Sequence, residues 1–100
     1  IDAHAVPVLP GAWETADACL YTAAGQRNRN HTGPFVRFVD VPFPMEEILF
    51  DPQTSGGLLL AAAPQDADAL EAALQAAGLP AKIVGEITAK QEPEITVIYK

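Results

Sequence analysis

The feature that most constrains this chain is the passage from Asp51-Pro52-Gln53-Thr54-Ser55-Gly56-Gly57 into Leu58-Leu59-Leu60-Ala61-Ala62-Ala63. A polar, hydroxyl-bearing stretch with paired glycines stands directly before an unbroken apolar run. Such a run, without alternation, fits a strand covered on both faces, although a buried helical segment shares the pattern. The glycine pair before it and Pro64 after it limit it to strand length. The expectation is therefore a buried strand with a polar, tightly turned loop at its mouth. Gly56-Gly57 opens backbone conformations closed to other residues and lets a ligand or another chain approach closely. Thr54 and Ser55 add hydroxyls that donate or accept a hydrogen bond. A plain structural turn accounts for the same residues.

Around this centre the chain divides readily. Residues 2–10 carry Pro7 and Pro10 and read as an extended lead-in. Ala12, Trp13, Ala16, Leu20 and Ala23 recur at helical spacing, which predicts a helix over Gly11–Ala23 ended by Ala24-Gly25. Cys19 falls inside it and reads as a small buried core residue. Gln26 to Pro34 is the one concentrated polar run, expected as a surface loop. Arg27 and Arg29 give it forks suited to an anion or an acidic partner, with simple solvation as the alternative. His4 and His31 are too isolated for a local metal motif.

Phe35–Val41 is β-prone, and Pro44–Phe50 reads as a short helix whose Glu46 and Glu47 complement the dipole and meet solvent. After the central strand, Pro64–Ala77 is the clearest helix, with Ala67, Leu70, Leu74 and Ala77 on one stripe and Gly78 as its cap. Ala81–Ile87 and Glu94–Tyr99 follow as strands. A strand, helix and strand in that order predict a parallel crossover, with the last strand returning antiparallel.

A chain of 100 residues buries about 60–68% of the surface its unfolded form exposes, enough for a core without staples. Its net charge of −7 repels phosphate backbones and anionic lipid, so neither nucleic acid nor membrane is an expected partner. A lone cysteine fits a reducing, cytoplasmic setting. The chain begins at Ile1 and its single methionine is Met45, so it is expected to be cut from a longer protein.

Phe50-Asp51-Pro52-Gln53-Thr54-Ser55-Gly56-Gly57-Leu58-Leu59 resembles the signature of the selenophosphate synthetases (selenide, water dikinases). Val6-Pro7-Val8-Leu9-Pro10-Gly11, Ala24-Gly25 with Arg29-Asn30, and Val84-Gly85-Glu86-Ile87 resemble further stretches of that family. Its superfamily includes aminoimidazole ribonucleotide synthetase and thiamine-monophosphate kinase. Members pair an N-terminal α/β domain, through which they dimerise, with a C-terminal α+β domain. The resemblance implies that residues 1–100 are one α+β domain, most of that second domain, with helices packed on a mixed β-sheet.

The resemblance further implies a parent enzyme that turns ATP, selenide and water into selenophosphate, AMP and phosphate with Mg²⁺. The family's reactive cysteine or selenocysteine, its lysine and the metal-holding aspartates lie in segments upstream of anything matched here. This chain alone is then expected to hold no cofactor and to be inactive, with the N-terminal domain as its partner in a homodimeric parent. The cofactor-facing residues implied are Thr54, Ser55, Gly56 and Gly57, together with Asn30. Either Asn28 or Asn30 can stand for the family's asparagine, because Gln26-Arg27-Asn28 repeats the local pattern. Two other readings compete: a kinase of the same superfamily acting on another substrate, and an interaction module docking through the loop from Arg27 to Pro34.

Overall fold

The computed structural model describes all residues, Ile1–Lys100. Four α-helices run over Ala12–Asp17 (α1), Ala23–Thr32 (α2), Phe43–Phe50 (α3) and Pro64–Ala76 (α4). Two strands, Val36–Val39 (β1) and Ile95–Ile98 (β2), pair with each other, and 3₁₀ turns occupy Ala3–Ala5 and Gly33–Phe35. The class is α+β, as expected. The pairing is parallel, with Val36 opposite Ile95 and Val39 opposite Ile98, so the last strand does not return antiparallel. Sequence separation explains this, since the long excursion between the strands carries the chain back to the starting end of the sheet.

The sheet extends weakly beyond β2. Ile98 N donates to Ile1 O at 2.9 Å, and Asp2 N donates to Val84 O at 2.8 Å. Ile1 and Asp2 thus lie between β2 and Val84. Toward β2, Ile1 N also donates to Thr96 O at 2.8 Å, but toward Val84 there is a single bond where a ladder would need a run of residues, and Ala81–Ile87 consequently forms no strand. The run Leu58–Ala63 forms none either. Leu58, Leu59 and Leu60 are 88, 77 and 54% exposed, which overturns the expectation of a covered strand and of the crossover built on it. An apolar segment becomes a central strand only where neighbours offer both backbone partners and cover, and here neither is present.

The core is small. Ala3, Met45 and Val97 form its buried centre, with Trp13, Phe38, Ile48 and Tyr99 packed around them. Only 7 of 100 residues are buried, far fewer than the length allows, because the apolar residues of 58–63 and Leu79, Ile83 and Ile87 face outward. The core therefore sits between the β1–β2 pair and helices α1 and α3, in the half of the molecule that carries the site.

Two helices depart from the predicted boundaries. α1 stops at Asp17, and Cys19 lies beyond it, exposed and with φ of 60°. Cys19 N donates to Ala16 O and Leu20 N to Thr15 O, both at 3.0 Å, the paired closing bonds that end a helix on a left-handed residue. Cys19 is thus a surface turn residue rather than a core one. The stretch expected as a polar loop is helix α2, capped by Thr22 Oγ1, which accepts from Gly25 N at 3.0 Å.

Candidate functional site

The site is built where α2 lies against α3. α3 starts with Pro44 in its first turn and Glu46 near its positive end, and it stops at Asp51 because Pro52 holds the preceding residue extended (φ −62°, ψ 134°). Its inward face presents Glu47, only 3% exposed. A buried carboxylate is stable only when its charge is met. Arg29 of α2 meets it, with Nη2 2.5 Å from Glu47 Oε1 and Nη1 2.8 Å from Glu46 Oε2. Gln26 Nε2 donates to the second Glu47 oxygen at 2.5 Å. The guanidinium also lies over the rings of Phe50 and Phe43, 4.8 and 5.5 Å from their centroids. Its Nε is buried without a hydrogen-bond partner, an additional sign of how closely the planar group is enclosed.

Burial by itself lowers the pKa of Arg29, but its hydrogen bonds to Glu46 and Glu47 and their negative charges outweigh that and raise it above its ordinary value. The guanidinium therefore keeps its charge through neutral and moderately alkaline pH. Glu46 and Glu47 are not explained by dipole and solvent, as their adjacency implied; both reach the same cation. Arg27 and Arg29 cannot grip one anion together either. Two residues along a helix turn the chain by about 200°, which sends the two side chains to opposite sides.

Beyond α3 the loop Asp51–Gly57 is exposed throughout. Its root is held by α2: Asn28 Nδ2 donates to Phe50 O at 2.9 Å, and Thr22 Oγ1 donates to Asp51 Oδ1 at 3.1 Å. Gln53 N donates back to Asp51 O at 2.9 Å, tightening the exit. Ser55 and Gly57 both take left-handed conformations, φ of 62° and 69°. For Ser55 that costs roughly 1–2 kcal/mol, while Gly57 adopts it freely. Thr54, Ser55, Gly56 and Gly57 thus project together from a braced helix end. Asn30 does not join them. It is exposed on α2 and makes no side-chain hydrogen bond, whereas Asn28 is the asparagine that touches the loop root.

Thr22 and Gln26 are the residues that sequence reasoning missed; Glu46 and Glu47 were expected to face solvent, and Asn28 stood open beside Asn30. The one available signal was the spacing Thr22, Gly25, Gln26, Arg29, a helical stripe made of polar groups rather than apolar ones. The docking loop imagined from Arg27 to Pro34 is absent, since α2 occupies most of it. A separate cleft of about 360 Å³ opens beside His4, Leu9, Trp13, Glu14 and Tyr99 and includes no residue of the loop. No three His, Cys, Asp or Glu side chains converge as metal ligands.

A parallel strand pair, helices packed on it and a braced glycine loop define an α+β domain. The sequence profile described as AIR synthase related protein, C-terminal domain, matches residues 12–98, and the chain belongs to that family. It is 52% identical over 98 residues to a protein of Agathobacter rectalis named Selenide, water dikinase, covering 97% of this chain and 29% of that protein. Proteins of the same name from Desulfitobacterium hafniense strain Y51 and Treponema denticola are 45 and 36% identical over 87 and 97% of this chain. The chain spans 26 and 29% of their lengths, so it corresponds to a minor part of each.

Proposed function

We propose that these 100 residues act as the C-terminal domain of an ATP-dependent selenophosphate synthetase, a cytoplasmic enzyme converting ATP, selenide and water into selenophosphate, AMP and phosphate. The observation that carries this reading is that relatives matching nearly the whole chain bear the name Selenide, water dikinase. The residues present here do not by themselves fit Mg²⁺–ATP. No three metal-ligating side chains converge, Glu46 and Glu47 are both engaged by Arg29, and the net charge of −7 opposes a polyphosphate. Nucleotide, metal and the reactive residue belong to the N-terminal domain of the same polypeptide, the partner we assign to this chain, in a homodimeric parent. Alone, the chain is inactive.

The contribution of this domain is the Thr54–Gly57 loop, which forms part of the wall of the cleft between the two domains. Backbone N–H groups freed at Gly56 and Gly57, with the Thr54 and Ser55 hydroxyls, orient a phosphate or a mobile segment of the other domain. In full-length enzyme, Gly57→Val and Thr54→Ala should lower selenophosphate formation roughly 10- to 100-fold while leaving the fold intact, because small misplacements of a positioning group are costly. Unchanged turnover in both folded variants would reduce the loop to a turn. Selenophosphate made by the isolated chain would contradict the assignment of the chemistry to the other domain.

A further inference from the structure

α2 uses one stripe of its surface to grip the end of α3. Thr22, Gly25, Gln26 and Arg29 recur at the i, i+3, i+4, i+7 spacing that places side chains on one helical face. Each meets α3 or its exit. Thr22 hydrogen-bonds to Asp51, and Gln26 and Arg29 hold Glu47. A Cβ on Gly25 would lie in ordinary contact with the Phe50 carbonyl oxygen, at 3.7 Å, and tight only against Thr22 Oγ1, at 3.3 Å, so this position of α2 sits directly on the end of α3. The last carbonyls of a helix have no partners within it, and Asn28 supplies one to Phe50.

We infer that Arg29 is a positioning residue for the Asp51–Gly57 loop, holding α2 against the last turns of α3 through Glu46 and Glu47 so that Thr22 and Asn28 can fix the point where the loop departs. Arginine suits this task because one planar group addresses two carboxylates and lies against aromatic faces, which the point charge of lysine cannot do. What the positioned loop does for catalysis rests on the function proposed above; its positioning does not.

The test uses full-length enzyme carrying Arg29→Met, Arg29→Lys or Asn28→Ala. Limited subtilisin cleavage within residues 51–57, located by mass spectrometry, is compared with cleavage in the Thr88–Pro93 connection as an internal control. Steady-state kcat and KM for ATP are measured in parallel. Arg29→Met should raise cleavage at 51–57 relative to the control by about tenfold, since local opening follows local stability. It should lower kcat while KM for ATP changes by less than about twofold, the pattern of a lost transition-state interaction. Arg29→Lys should behave similarly, and Asn28→Ala should act in the same direction but less.

An unchanged cleavage ratio in folded Arg29→Met overturns the inference, as does equal acceleration at both places, which would mean general loosening. Faster cleavage at 51–57 with unchanged kcat sustains the positioning role and removes the cleft reading instead. Should Arg29→Met fail to fold, Asn28→Ala decides, and an unchanged ratio there counts against the inference.

Discussion

Cys19 shows how far one residue's surroundings can differ from its type. Free cysteine is ordinarily buried, yet here it takes the left-handed position just past α1, where glycine is favoured. The equivalent position after α4 is Gly78, φ 83°, with the same pair of closing bonds from Gly78 N to Gln75 O and Leu79 N to Leu74 O. A non-glycine residue in that conformation costs roughly 1–2 kcal/mol, against which glycine loses up to about 1 kcal/mol in the unfolded chain. Cys19→Gly should therefore stabilise the chain by up to about 1 kcal/mol, read as a higher urea midpoint at unchanged slope. A lower midpoint would show that the thiol makes a contact of its own. At Arg29 the raised pKa means its contribution is complete below the unfolded value and is lost only as pH climbs through the higher folded one, in strong alkali.

Among the elements, legibility followed the origin of the signal. β1, α3, α4 and β2 could be read from the sequence because proline starts, apolar spacing and β-branched runs act locally. α2 could not. Its face toward α3 is Thr22, Gly25, Gln26 and Arg29, and no hydrophobic period marks a helix held by polar pairing to a buried glutamate. The same cause hid the braced root of the Asp51–Gly57 loop, while the loop itself was conspicuous from its composition. Leu58–Ala63 was misjudged for the opposite reason: its residues are strand-like, but a strand also needs neighbours. α4 forms by propensity and the closing bonds at Gly78, without a side-chain cap at its start, and it contributes no buried residue. Its polar contacts outside itself go to the following segment, Gln75 to Ala81 O at 2.9 Å and Glu71 to Lys82 at 3.7 Å. Helices gain most of their stability from packing rather than propensity. In the isolated chain, amides of α4 should exchange with deuterium faster than those of β1 and α3, by roughly tenfold or more. Equal protection would place α4 in the same cooperative unit as the core.

For the whole molecule the areas decide what kind of object this is. A self-contained protein of 10.6 kDa exposes about 5,500 Å², whereas this chain exposes 7261 Å², an excess of roughly 1,800 Å². The radius of gyration, 14.3 Å, likewise exceeds the roughly 13 Å expected at this length. Backbone hydrogen bonds number 47, where a chain this long ordinarily forms about 70, and the stretches 58–63 and 81–87 are where ladders are lacking. A standard protein interface takes about 800 Å² from each partner, so the excess is more than enough for one. Leu58, Leu59, Leu79 and Ile87 are all more than half exposed, and charge repulsion at −7 is a weak long-range opponent once salt screens it beyond about 10 Å. The isolated chain should therefore self-associate, with light scattering giving masses above 10.6 kDa that grow with concentration and with added salt. Leu58→Lys with Leu59→Glu should return it toward monomer without touching the Met45 core. In full-length enzyme the proposed reading, in which the other domain covers this face, expects the same pair to impair folding or activity instead. A strictly monomeric chain at high concentration, with the double variant silent in full-length enzyme, would mean that these leucines meet only water.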